Sequence, residues 1–128
     1  MRYLLDTQVI IWLAGIDEWK LSRKSKEIIL NGENDLCVSI VSIWEIALKI
    51  NKGKLDLGIS LEELIAKIRD SRICIVSVET NHILGLAKLP FIHNDPFDRL
   101  LISSALVEDM TIITADENIQ KYVVKWVW

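Results

Sequence analysis

Tyr3-Leu4-Leu5-Asp6-Thr7-Gln8-Val9-Ile10-Ile11-Trp12-Leu13-Ala14 holds two periodicities back to back. Tyr3–Leu5 is a short apolar run of strand character, Gln8–Ala14 has the spacing of a helix, and an acid stands at the switch between them. The pattern recurs along the chain. Further strand-like runs lie at Leu36–Val38, Ile73–Val76 and Thr111–Thr114, and helical spacing covers Ser22–Leu30, Ser42–Asn51, Leu61–Asp70, Thr80–Ala87 and Pro96–Glu108. Several helices open on a Ser, Thr or Asp at the cap position, while Asn31-Gly32 and Lys52-Gly53 read as stops. The final segment, Val123–Trp128, alternates in the manner of an edge strand. Strands alternating with helices predict an α/β fold around a short, mainly parallel sheet of about five strands. Without a repeat, low-complexity tract or Pro/Gly/Ser-rich linker, residues 1–128 read as one domain.

Composition narrows the function classes. With 51% hydrophobic residues the chain can bury a core unaided by disulfides. A net charge of −3 argues against a protein that coats nucleic acid by bulk electrostatics. It leaves room for a nucleic-acid enzyme whose acidic pocket is inverted locally by metal. Cys37 and Cys74 suggest neither a zinc site nor a disulfide framework, which fits a reduced, cytoplasmic setting. No apolar run approaches the roughly 20 residues of a membrane span, and no cleavable signal is legible, so no membrane partner is expected.

The acids carry the chemistry. Asp6 and Asp116 follow strand-like runs, Glu45 lies one turn into a helix, and Asp98 opens another, so all four fall on the carboxyl edge where open α/β sheets bind ligands. Each also has a structural role open to it. Asp6 and Asp116 could be N-caps, Ser42-Ile43-Trp44-Glu45 is a formal capping box, and Asp98 could complement a helix dipole. Clustered carboxylates repel unless protonated or neutralised, and all-oxygen donors favour Mg²⁺ or Mn²⁺ over softer ions.

Leu4-Leu5-Asp6-Thr7, Val41-Ser42-Ile43-Trp44-Glu45-Ile46-Ala47-Leu48-Lys49, Gly53-Lys54-Leu55, His93-Asn94-Asp95-Pro96-Phe97-Asp98-Arg99-Leu100-Leu101-Ile102 and Thr114-Ala115-Asp116 together resemble PIN-domain ribonucleases. More narrowly, they are similar to the toxin half of VapBC-type type II toxin–antitoxin pairs. The likeness spans nearly the whole chain, from residue 4 to Tyr122 and Trp128. It implies a PIN-like α/β/α sandwich, with Asp6, Glu45, Asp98 and Asp116 as catalytic and metal-holding acids. It also implies Mg²⁺-dependent hydrolysis of RNA phosphodiesters to a 5′-phosphate and a 3′-hydroxyl, a cognate antitoxin and a homodimer. Thr114 matches the small hydroxyl residue beside the last acid of the family. Gln8 stands where relatives often carry His, and Ser103-Ser104 where Ala-Gln is common, departures that bear on RNA preference before activity.

Other residues admit a second reading. Lys49, Lys52, Lys54 and Arg99 are candidates to guide an RNA backbone, Arg99 the better of them, and Arg99, Thr114 and Lys49 are the expected substrate-binding residues. His82 and His93 could form a metal-free acid–base pair, but His93 is better read as orienting the Asp95–Arg99 turn. Trp12 and Trp44 read as core or interface residues. Two rival functions remain. A metal-dependent phosphatase with Asp6 as nucleophile lacks its second acid, because Gln8 occupies that place, and a non-catalytic binding module is disfavoured by the full set of acids.

Overall fold

The computed structural model describes residues 1–128. Its strands are β1 (Arg2–Leu5), β2 (Asp35–Ser39), β3 (Cys74–Val76), β4 (Thr111–Ile113) and β5 (Trp126–Val127). They pair in the order β3-β2-β1-β4-β5, every pairing parallel. Seven helices cover the sheet: α1 (Thr7–Leu13), α2 (Arg23–Leu30), α3 (Ile40–Asn51), α4 (Leu61–Asp70), α5 (Thr80–Ala87), α6 (Pro96–Glu108) and α7 (Glu117–Gln120). A single turn of 3₁₀-helix, Glu18–Lys20, joins α1 to α2.

Successive strand residues point to opposite faces, and the apolar doublets Leu4-Leu5, Cys37-Val38 and Ile112-Ile113 divide accordingly. Leu5, Val38 and Ile113 pack with Val9 and Ile10 of α1, Ile46 of α3 and Leu64 and Ile68 of α4. Leu4, Cys37 and Ile112 pack with Leu101, Ile102 and Ala105 of α6 and with Ile119 and Tyr122. The sheet is thus buried on both sides, as parallel sheets require, and the α/β/α sandwich follows.

Some boundaries differ from the sequence reading, for local reasons. α3 begins at Ile40, not Ser42, because the Ser39 hydroxyl caps it by accepting from Val41 N at 3.0 Å. Ser42 is buried and accepts instead from the Thr7 hydroxyl at 2.9 Å, so the capping box read at Ser42–Glu45 is absent. β5 shortens to Trp126–Val127, since Tyr122–Val124 folds into a tight turn, with Val124 N donating to Tyr122 O. The stop at Lys52-Gly53 is a Schellman turn: Gly53 has φ +70°, and Lys54 N returns to Lys49 O at 2.9 Å.

Gly85 marks the close crossing of α5 on α6. A Cβ there would lie 2.7 Å from Ser103 Oγ and 3.3 Å from Val107 Cγ2, and Ser103 Oγ is tied to His82 O at 2.6 Å. Gly85→Ala gains about 1 kcal/mol of helix propensity and loses about 1–3 kcal/mol to overpacking. It should therefore be destabilising in chemical denaturation, and Ser103→Ala in the same chain should recover part of the loss.

Candidate active site

Parallel strands deliver their ends to one edge. At the end of β1, Asp6 caps α1, its Oδ1 accepting from Val9 N at 2.8 Å. Beyond β4, Asp116 caps α7 by accepting from Asn118 N at 2.8 Å, while its own N–H donates to Thr114 Oγ1 at 2.9 Å. Asp95 caps α6, accepting from Phe97 N at 2.9 Å and Asp98 N at 3.1 Å, and Pro96 takes the first helical position that its ring suits. Asp98, third residue of α6, is thereby released from capping. Glu45 lies further along α3, beyond the reach of any capping role, with Oε2 held by Lys49 Nζ at 3.1 Å.

These groups wall one pocket of about 330 Å³: Asp6, Thr7, Gln8, Trp12, Glu45, Lys49, Asp95, Asp98, Ala115 and Asp116. Five carboxylates face a single ammonium group there. The cost is visible in their protonation. Burial, reinforced by Asp116 and Glu45, raises Asp6 to about 6 against the opposing hydrogen bonds of Thr114 and Val9. Burial, with Asp95, Asp116 and Glu45 adding to it, raises Asp98 to about 7 although His93 opposes the shift.

Four expected acids and Lys49 are therefore brought together. Thr114 is fully buried, hydrogen-bonded to both the Asp6 carboxylate and the Asp116 N–H, and is not among the residues that wall the pocket. Arg99 departs from expectation. Its guanidinium is buried, donates to Pro90 O at 2.9 Å and Tyr122 Oη at 3.0 Å, and lies 4.6 Å above the Phe91 ring, so it is spent inside the protein and cannot guide a substrate backbone. The histidines form no acid–base pair: His82 joins Glu79 and Glu108, while His93 joins Tyr122 and Asp98. Trp44 is not core either. It is 55% exposed and rests edge-on against Phe97, ring centroids 4.8 Å apart. Sequence reasoning missed the pocket walls Thr7 and Trp12, whose neighbourhood to Asp6 was the available signal. It singled out Gln8 only as a departure from the family and as filling the place of a phosphatase's second acid, and missed the role of Tyr122, for which there was no signal.

The donors suit a hard cation. All five acids offer oxygen, and Glu45 Oε1 is buried without any hydrogen-bond partner. No three His, Cys, Asp or Glu groups are drawn together tightly enough to clasp a bare ion. Mg²⁺, however, keeps most of its water and takes only one or two carboxylates directly.

Native pKa values above the ordinary carboxylate value of 3.8 mean that the folded chain binds more protons than the unfolded one between that value and about 6 to 7. Without metal, stability should then fall as pH rises through this window. In EDTA the melting temperature should be higher near pH 6 than near pH 8. Asp6→Asn, which keeps a cap acceptor and removes the charge, should raise it near pH 8 and flatten the dependence; a lower melting temperature with an unchanged slope would make Asp6 a cap alone.

Comparison with known proteins places the arrangement. No curated protein matches the sequence significantly. Among solved structures the chain is similar to VapBC2 from Rickettsia felis, bound to a promoter DNA fragment, at 17% identity and a TM-score of 0.71, covering 99% of this chain and 98% of that one. It is similar to VapBC-1 from nontypeable Haemophilus influenzae at 18% identity and a TM-score of 0.67, covering 99% and 97%. DNA-bound VapBC from Salmonella typhimurium gives 15% identity, a TM-score of 0.69 and coverage of 99% and 97%. The PIN domain family model matches residues 3–125, and with the fold and the acidic edge in agreement the chain belongs to the PIN domain family.

Proposed function

We propose that this chain is a metal-dependent endoribonuclease, the toxin of a toxin–antitoxin pair. The observation that carries the reading is the single pocket in which Asp6, Glu45, Asp98 and Asp116 converge, with Glu45 Oε1 buried and unpartnered. Mg²⁺ held by these acids would supply charge to a phosphodiester and lower the pKa of a water. The chain's own part is to orient. Caps fix Asp6 and Asp116 at strand ends, the Thr7–Ser42 hydrogen bond ties the helix of Asp6 to that of Glu45, and Lys49 holds one Glu45 oxygen.

A second groove of about 400 Å³ adjoins the pocket and shares Glu45, Lys49 and Asp95 with it, adding Lys52, Lys54, Asn94 and Phe97. Its lysines supply the cationic approach for an RNA backbone that Arg99 does not. A metal-dependent phosphatase is less well supported. Gln8 stands in the pocket where its second acid is needed.

An antitoxin partner is inferred from the likeness to proteins solved as VapBC complexes. Ile83 and Leu84 on α5, with Leu106 and Val107 on α6, are exposed and offer an apolar surface for a homodimer.

Purified protein should cleave RNA with Mg²⁺ or Mn²⁺ and stop in EDTA. Asp98→Asn should cut single-turnover cleavage by orders of magnitude while leaving metal-free stability at or above wild type. Asp95→Ala should cost about 1 kcal/mol as a lost cap and retain substantial cleavage. The reverse pattern would transfer the metal to Asp95, and RNA left intact at saturating metal would sink the reading.

A further inference from the structure

Tyr122 Oη has three hydrogen-bonding neighbours: the His93 backbone N–H at 3.2 Å, Arg99 Nη1 at 3.0 Å and His93 Nδ1 at 2.8 Å. A phenol has one hydrogen to give and a lone-pair side that receives, whereas a backbone N–H and a guanidinium can only donate. Those two donors occupy the lone pairs. The phenolic hydrogen must then go to His93 Nδ1, the one neighbour able to accept. The ring hydrogen of His93 consequently resides on Nε2, which lies 3.2 Å from Asp98 Oδ2.

We propose that Arg99 is a positioning residue which, through the Tyr122 hydroxyl, locks His93 in the tautomer that donates Nε2–H to Asp98 Oδ2 and so fixes the orientation of that carboxylate in the pocket. Every link in the chain runs one way, from Arg99 to Tyr122 to His93 to Asp98. Arg99 suits the head of it because it has no acceptor with which to reverse the polarity. Pro90 O at 2.9 Å and Leu89 O at 3.5 Å hold the rest of its fork, with the Phe91 ring against the guanidinium plane. The imidazole is braced too, its ring edge-on to Tyr122 with centroids 5.4 Å apart. Asp98 Oδ2 is thereby engaged by the protein, while the carboxylate still lines the pocket. Partners of this kind behind a ligating group commonly change activity or metal affinity by about 10–100-fold when removed.

The kinetic consequence rests on the ribonuclease reading, but the hydrogen-bond polarity does not. In ¹⁵N-labelled, metal-free protein, the His93 imidazole should show one tautomer, with a slowly exchanging hydrogen on Nε2. Tyr122→Phe, a change of one oxygen, should lose that signal to exchange and average the two ring nitrogens. With Mg²⁺ and RNA the same variant should lose about tenfold in kcat with KM changed less than about twofold. Arg99→Lys, which keeps the charge but not the fork, should move both readouts in the same direction. A hydrogen on Nδ1 in the wild type, or a His93 signal unmoved by Tyr122→Phe, overturns the relay whatever the kinetics. A kcat unmoved in an active enzyme overturns the positioning role. Wild-type protein that leaves RNA intact counts against the ribonuclease reading alone, and the imidazole signal then still decides the relay.

Discussion

Burial of carboxylates at one sheet edge, with their mutual repulsion added to it, is the constraint that the rest of the structure answers to. Five acids surround a pocket of about 330 Å³ with one lysine among them, and two of the acids are pushed towards neutrality by burial. Such a cluster weakens the metal-free fold. Only a rigid frame keeps it from spreading apart. That frame is the parallel sheet, whose strand order brings the ends of β1 and β4 side by side, together with a core packed on both faces.

Capping and ligation, set against each other when the sequence is read alone, turn out to be compatible. Asp6 spends Oδ1 on Val9 N, and Asp116 spends Oδ1 on Asn118 N, yet both line the pocket. A carboxylate has lone pairs enough for a cap and a cation, and the cap fixes its orientation without a further residue. The α6 helix uses the opposite solution. Asp95 takes both free amides, which releases Asp98 to serve the pocket from the third helical position. Strand-to-helix switches thus place acids at this edge in two distinct ways, one sharing the carboxylate and one dividing the labour between two.

What was legible in the sequence follows from distance along the chain. The alternation of short apolar runs with helical spacing located every strand and six of the helices, because both signals are local. The acids were legible because they sit beside those switches. Ser42 was misread as a cap because its true partner, Thr7, is 35 residues away. Arg99 was misread as substrate-facing for a similar reason: nothing near it in sequence announces Tyr122, 23 residues on, or the carbonyl of Pro90 that turns it inward. The short α7 escaped notice because a single turn carries no periodicity.

On the proposed ribonuclease reading, the inward turn of Arg99 leaves the approach of a phosphate backbone to lysines, whose placement is compatible with a net charge of −3. Lys49 is tied to Glu45, but Lys52 and Lys54 are exposed and belong to no ion pair. α3 ends at Asn51, and the Schellman turn at Gly53 sets Lys52 and Lys54 on either side of it, both lining the groove beside the acids. Screening confines electrostatic guidance to about 8–10 Å at physiological ionic strength. At that range a phosphate backbone responds to the adjoining groove rather than to the charge of the whole molecule, so an acidic chain can present a locally cationic path to an acidic centre.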